Sequence, residues 1–218
     1  MIRLHHCHQT RSMRSLWLLE ELGVEFELLS YGFDSAIKAP EYLGLNPAGR
    51  VPTLEIDGEV LFESGAIAEI LCERFSPDGL GRSTGHSERA QWLNWLHFAE
   101  TISQHTAALT QQHIMLFEDS MRSPVVMKIE AKRLAKTFAA IDAVVGPNRY
   151  LLEGGFSAAD IGVGQAVYMG QHFVTLTDFP RLQAWFETLS TRPAFERSLT
   201  DGAPLYSESF YPPWSETK

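Results

Sequence analysis

A mixed α/β domain followed by an all-helical one is the fold that this 218-residue sequence predicts. Three observations predict it. Up to about residue 75 short apolar runs alternate with a helical pattern, a Pro/Gly/Ser-rich stretch (SPDGLGRSTG, 76–85) then interrupts the chain, and beyond it apolar residues recur only at helical spacing. The expected domains are 1–78 and 86–218.

Met1 to Cys7 places Ile2 and Leu4 at alternate positions, the mark of a buried strand. After the polar turn His8-Gln9-Thr10-Arg11, Met13, Leu16, Trp17, Leu19 and Leu22 recur at helical spacing until Gly23 stops the helix. Val24 to Tyr31 returns as a strand, so the three elements form a β-α-β unit whose parallel strands are joined by a right-handed crossover. Residues 32–45 form a polar connection with weak helical character around Pro40–Leu43. A hairpin follows, Thr53–Ile56 and Glu59–Phe62 with Asp57-Gly58 at its tip, and then a helix over Ser64–Phe75. This order, βαβ, (α), ββα, matches a thioredoxin-like half.

The second half reads helical throughout. Residues 87–118 form one long or kinked helix with Trp92, Trp95, Leu96, Ala99, Ile102 and Thr106 along a face. A second helix runs from about Pro124 to Val145 and stops at Gly146-Pro147. Ser157, followed three residues on by Asp160, has the spacing of a capping box before an apolar run, in which Gly162 and Gly164 let another helix approach closely. Pro180 and Pro193 each precede a further short helical segment, and the tail SESFYPPWSETK is aromatic but irregular.

Composition excludes several partners. With 44% apolar residues the chain can build a core, and 27 acids against 18 bases, with no long basic run, argue against nucleic acid and anionic membranes. No apolar run reaches the roughly 18 residues of a membrane span, and MIRLHHCHQTRS lacks the apolar centre of a signal peptide. Two cysteines, Cys7 and Cys72, suit a reducing compartment, so a cytoplasmic protein with a small-molecule partner is expected.

The most informative stretch is NPAGRVPTLEIDGEVLFESGAIAEILCERF, residues 46–75. Pro52 cannot donate to a sheet ladder, so an X-Pro step at a strand mouth leaves the Val51 amide and carbonyl to pair with something outside the chain. One hairpin later Ser64 opens a helix, where its hydroxyl, the first orphan N–H groups and the positive end of the helix dipole converge on an anionic group. Together they read as a clamp for an extended, carboxylate-bearing small peptide.

With TRSMRSLWLLEELGVEFEL, the 46–75 block, WLHFAE and GGFSAADIGVG in this order, the chain resembles the cytosolic glutathione transferase family, in its serine-type, theta-like or bacterial classes. The resemblance implies a thioredoxin-like domain that binds glutathione as co-substrate, a helical domain carrying the site for a small, apolar electrophile, and a two-fold homodimer. Carried over by position, Val51 beside a cis Pro52 pairs with the cysteinyl part of glutathione. Glu63 and Ser64 hold the γ-glutamyl end, and Arg50 with Lys38 meets the glycyl carboxylate. In that family a residue from the neighbouring subunit's first C-terminal helix also reaches the γ-glutamyl group, which makes His97 or Glu100 of the second copy a further choice. The activating hydroxyl of those classes lies four residues before an Arg in the first helix; counting back from Arg14 lands on Thr10, with Ser12 as the alternative and equally a helix N-cap. The implied activity is addition of the glutathione thiolate to the electrophile. Two other readings stay open: glutathione-dependent reduction of peroxides or disulfides, and a glutathione-binding module without turnover.

Other reactive residue types have plainer roles. His5-His6-Cys7-His8 holds metal-ligand types, but in a strand only His6 and His8 share one side and His5 and Cys7 the other, so strand packing or turn polarity is expected and no metal. Cys7, seven residues before Arg14, lies too early for a catalytic thiol, and Cys72 belongs to an apolar helix. Asp160 is read as a helix cap rather than a general base. His105 and His113 are read as solvated unless they line the electrophile pocket.

Overall fold

The computed structural model describes residues 1–32, 36–145, 150–202, 204–206 and 208–211. The expected helix stop at Gly146-Pro147 and most of the aromatic tail lie outside these residues. The chain forms two compact units, Met1–Trp92 with Ser190–Pro204, and Leu93–Leu189 with Leu205–Lys218.

The first unit is built on four strands in the order β2-β1-β3-β4. Strand β1 (Ile2–Cys7) pairs parallel with β2 (Glu27–Tyr31) and antiparallel with β3 (Thr53–Ile56), which pairs antiparallel with β4 (Glu59–Phe62). Between β1 and β2 runs α1 (Ser12–Leu22), closed by Gly23 in the left-handed conformation, as the sequence predicts. Asp57 (φ 52°) and Gly58 (φ 86°) turn the hairpin, the positive φ pair that an Asp-Gly tip supplies. Between β2 and β3 lie a 3-10 turn, Ala36–Lys38, and the short helix α2 (Pro40–Leu45); α3 (Ser64–Phe75) follows β4. Leu4, Leu54 and Ile56 form the floor of the core under α1 and α3, with Leu16, Leu19, Ile67 and Leu71 above them.

Two features depart from the sequence reading. The 76–85 stretch is a packed corner: Arg82 is buried, its Nη1 donating to the Gly79 and Gly81 carbonyls (2.7 Å each) and its Nε to Glu88 Oε2 (2.8 Å). Around that buried arginine Pro77, Asp78, Gly79, Thr84 and Gly85 stay exposed. The second departure is that Ser190–Pro204, with α8 (Pro193–Ser198), clusters with the first unit although it lies beyond residue 86. Phe195 meets Trp17 edge-on at 4.9 Å, and Arg192 forms a two-pronged ion pair with Glu21 (2.6 and 2.7 Å). This explains why every residue of α1 from Ser12 to Leu19 is buried.

The second unit contains most of α4 (Arg89–Thr110), with α5 (Pro124–Val144), α6 (Ala158–Gly170) and α7 (Pro180–Ser190). Helix α4 ends in a π turn over Gln111–Met115. Helix α6 is buried on nearly every side, and its capping box is present: Asp160 Oδ2 accepts from Ser157 N (3.0 Å) while the Ser157 hydroxyl accepts from Ala159 N (3.3 Å). Gly162 faces Ala99, where an added Cβ would sit 3.5 Å away, an ordinary contact. Asp142 of α5 caps α7 by accepting from the Arg181 and Leu182 amides (2.8 and 2.9 Å). Tyr206 joins this unit through Thr110 (2.8 Å) and a stack on His172, and Phe210 N donates to His172 O (2.6 Å).

Candidate functional site

Register brings the candidate residues to one end of the sheet. His5 pairs with Thr53, Thr53 with Phe62, and Cys7 with Tyr31. The turn after β1 (Thr10, Ser12), the step before β3 (Val51, Pro52), the residues after β4 (Glu63, Ser64) and the chain after β2 (Lys38) therefore all emerge there.

The turn after β1 is held by hydroxyls. Gln9 takes a positive φ of 50° and swings the chain into α1. The cap position of α1 is Arg11, with no side-chain capping bond, so Ser12 is the first helical residue and not the N-cap. Its side chain turns back into the core, fully buried: Oγ accepts from Cys7 N (3.1 Å) and lies 2.8 Å from His6 Nδ1 and 2.7 Å from Thr10 Oγ1. Thr10 is only half-buried; its hydroxyl accepts from Ser12 N (3.2 Å) and reaches Cys7 O (2.8 Å). Of the two hydroxyls, Thr10 is the one at the surface and Ser12 the one beneath it.

The Val51–Pro52 step is braced from α2. The Val51–Pro52 peptide is cis, and the β1–β3 ladder stops at Thr53, so the Val51 N–H and C=O lie outside it. The Arg50 carbonyl accepts from Tyr42 Oη (2.6 Å) and Asn46 Nδ2 (2.9 Å), while both donors also reach Thr53 Oγ1 (2.8 and 3.1 Å). Gly49 has a φ of +58°, and a Cβ there would stand 3.2 Å from the Ile37 carbonyl, so the Arg50 turn packs directly on the 36–38 turn. Arg50 and Lys38 thus project from neighbouring turns with exposed side chains.

At the third corner Glu63 holds φ 75° and ψ 114°, an unusual conformation for a residue with a Cβ, directly before α3. Glu63 is exposed and Ser64 buried, its Oγ accepting from Arg14 Nη1 (3.1 Å). Arg14 is the residue that sequence reasoning used only as a marker. The signal was present: it lies three before Trp17 and four before Leu18, on a face that α1 buries.

The remaining candidates lie on their own elements. His97 and Glu100 are exposed on α4. Cys7 is buried and serves the site through its backbone; burial pushes the Cys72 thiol up to about 12. His105 is not solvated: it is buried with Nδ1 2.7 Å from Glu130 Oε2. His113 is half-buried between Phe173 (5.6 Å) and Phe210 (5.2 Å). His6 and His8 do share a side, since both approach Thr200 Oγ1 (3.0 and 3.4 Å). Among the described residues no group of three His, Cys, Asp or Glu could hold a metal ion, and no helix is long and apolar enough to cross a membrane.

Residues 1–72 match the family described as glutathione S-transferase, N-terminal domain, and residues 107–193 the glutathione S-transferase, C-terminal domain. The chain is 30% identical over 193 residues to glutathione S-transferase F13 of Arabidopsis thaliana, covering 84% of this chain and 87% of that one. It is 29% identical over 205 residues to glutathione S-transferase 3 of Schizosaccharomyces pombe, covering 89% and 85%. Among solved structures it resembles the theta-class glutathione S-transferase of Xanthomonas axonopodis pv. citri with glutathione bound, at 26% identity and a TM-score of 0.81 over 92% of this chain and 98% of that one.

Proposed function

The chain belongs to the glutathione S-transferase family, and from that premise we propose that it adds the thiolate of glutathione, its co-substrate, to an electrophilic carbon of a small apolar molecule. In this reading Thr10 is the serine-type activating group, Val51 pairs through its backbone with the cysteinyl unit beside Pro52, Glu63 and Ser64 hold the γ-glutamyl end, and Arg50 with Lys38 meets the glycyl carboxylate. The thiol proton leaves to solvent, the sulfur lone pair forms the S–C bond, and the electrophile's leaving group departs with its electron pair.

The observation that carries the reading is the placing of Thr10: half-buried, at the start of α1, above a sealed Ser12, and on the clamp's end of the sheet. A free thiol ionises near pH 8.5, and a hydrogen bond to a charged group is worth about 1.5–3 kcal/mol, so one such donor lowers the thiol pKa by roughly one to two units. The N-terminus of α1 adds ~0.3–1 kcal/mol in the same direction. Bound glutathione then becomes largely thiolate near neutral pH.

The protein works in a reducing, cytoplasmic setting as a homodimer. Val60 and Phe62, exposed on the edge strand β4, give a second copy apolar surface to cover.

Thr10→Val keeps the shape and removes the donor. The ultraviolet absorbance of bound thiolate, followed against pH, should shift upward by one to two pKa units (roughly, from the same hydrogen-bond energy), and turnover of a chlorinated aromatic substrate at neutral pH should fall about tenfold or more. An unchanged thiol pKa in Thr10→Val rules Thr10 out.

A further inference from the structure

Resting on that reading of Thr10, we propose that His6 is a positioning residue for the thiol-activating hydroxyl: through the buried Ser12 side chain it aims the Thr10 proton outward at the sulfur of bound glutathione, in a tautomer that Thr200 selects.

The argument is a count of protons along one chain of contacts. His6 Nδ1 lies 2.8 Å from Ser12 Oγ, Ser12 Oγ lies 2.7 Å from Thr10 Oγ1, and on the far side His6 Nε2 lies 3.0 Å from Thr200 Oγ1. Each hydroxyl has one proton to donate, and a neutral imidazole has one N–H. If the proton sits on Nε2, Nδ1 must take the Ser12 proton; Ser12 then takes the Thr10 proton, and Thr10 points inward. If the proton sits on Nδ1, every link reverses: His6 donates to Ser12, Ser12 to Thr10, and Thr10 has its own proton left to give outward. Ser12 Oγ already accepts from Cys7 N (3.1 Å), so with His6 as a second donor both of its acceptor sites are filled and its proton must go to Thr10 or Cys7 O. Thr10 in turn accepts from Ser12 N (3.2 Å), which also favours giving its proton away. In the structure Thr10 donates to Cys7 O at 2.8 Å, and a thiolate offers that proton a stronger acceptor.

The proposal assigns Thr200 as the donor to Nε2, one of the two roles a hydroxyl can take at 3.0 Å, and in that role it holds the proton on Nδ1. The titratable groups near this imidazole are His8, which approaches the same Thr200 hydroxyl at 3.4 Å, and beyond it Asp201, which acts on His8; a hydrogen bond to the Ser12 backbone favours the charged ring but is outweighed. Burial, with His8 adding to it, lowers the His6 pKa to about 4. At pH 7 only about one imidazole in a thousand is then charged, so His6 is a poor sink for the thiol proton. A neutral donor that polarises the hydroxyl chain is the role its environment permits.

The test is an ultraviolet titration of glutathione bound to the full-length wild-type protein, His6→Leu, His6→Asn and Thr200→Val. His6→Leu should raise the pKa of bound glutathione by about one unit and cut kcat at neutral pH about tenfold, with glutathione affinity held within about twofold. His6→Asn, whose amide N–H lies near the position of Nδ1–H, should recover most of the shift. Thr200→Val, at a half-exposed site, should move the pKa the same way by a smaller amount. A purely structural His6 would lower thermal stability and leave the thiol pKa alone. The proposal is overturned if folded His6→Leu has the wild-type thiol pKa, or if Asn and Leu behave alike; should His6→Leu not fold, an unshifted Thr200→Val overturns it. If glutathione bound to the wild type does not ionise at all, the transferase reading itself fails, and this inference with it.

Discussion

Arg14 and Ser64, fifty residues apart in the chain, meet at 3.1 Å between Nη1 and Oγ beneath the surface of the first unit. The contact sets a buried guanidinium against the positive end of α3. The γ-glutamyl carboxylate of glutathione is proposed to lie beside this contact, where the first N–H groups of α3 and the positive end of its dipole favour an anion.

Arg14→Met should therefore raise the KM for glutathione about ten- to a hundredfold, the worth of one hydrogen bond between charged groups. The loss belongs to binding, so kcat at saturating glutathione should fall much less. Arg14→Lys should not restore affinity, because an ammonium lacks the planar fork that reaches Ser64 and a carboxylate together. Steady-state kinetics with glutathione as the varied substrate decides this; equal losses in kcat and kcat/KM would assign Arg14 to the chemistry instead.

Local signals make the frame and the backbone turn at Val51-Pro52 legible. Asp57-Gly58, Gly23, Val51-Pro52 and the Ser157/Asp160 spacing each fix a backbone conformation within a few residues, so each can be read without knowing the fold. The burial of Arg14 is legible from its spacing to Trp17 and Leu18, but its partner is not, and neither are the roles of His6 and Thr200. Arg14 matters because of a helix fifty residues on, and His6 because of a hydroxyl 194 residues away. No periodicity encodes such pairs. The N-cap alternative for Ser12 fails for a related reason: a Ser at a helix start usually caps it, but here the preceding turn, with Gln9 at positive φ, carries Ser12 one position inward and points it at the strand.

Asp160 supplies a pH prediction with a definite sign. Burial pushes its carboxyl up to about 6, against the pull of four donors: Leu151 N (2.9 Å), Ser157 N (3.0 Å), Ser157 Oγ (3.2 Å) and Trp185 Nε1 (3.3 Å). A carboxyl whose pKa is higher folded than unfolded binds more protons in the native state between the two values. Its contribution is thus complete below about pH 4 and is lost as pH rises to about 6, by roughly 3 kcal/mol at most. Urea denaturation of wild type and Asp160→Asn across this range should show the difference between them changing by about that amount. The variant should still be less stable at pH 7, because an amide cannot accept from all four donors. A pH-independent difference would mean that Asp160 stays ionised throughout.

Glu21 joins the first helix to a segment that sequence composition assigns to the helical domain. Its Oε1 accepts from Arg192 Nε (2.6 Å) and Trp17 Nε1 (3.0 Å), and its Oε2 from Arg192 Nη2 (2.7 Å). Glu21 is nearly buried while Arg192 is 30% exposed, so the pair is worth more than a surface bridge and less than a sealed one. Glu21→Ala removes the ion pair with Arg192 and an acceptor of the Trp17 indole N–H, and should lower stability by about 1–3 kcal/mol. The coupling energy of Glu21→Ala with Arg192→Ala in a double-mutant cycle should be about 1–2 kcal/mol. The effect should be uneven across the fold: amide hydrogen exchange should quicken first in Pro193–Ser198, since α8 is short and this pair and the Trp17–Phe195 contact tie it to α1. Because Thr200 lies just beyond α8 and meets His6, loosening this segment should also raise the pKa of bound glutathione, in the direction of Thr200→Val. Faster exchange there with an unmoved thiol would separate the structural anchor at Glu21 from any influence on Thr10.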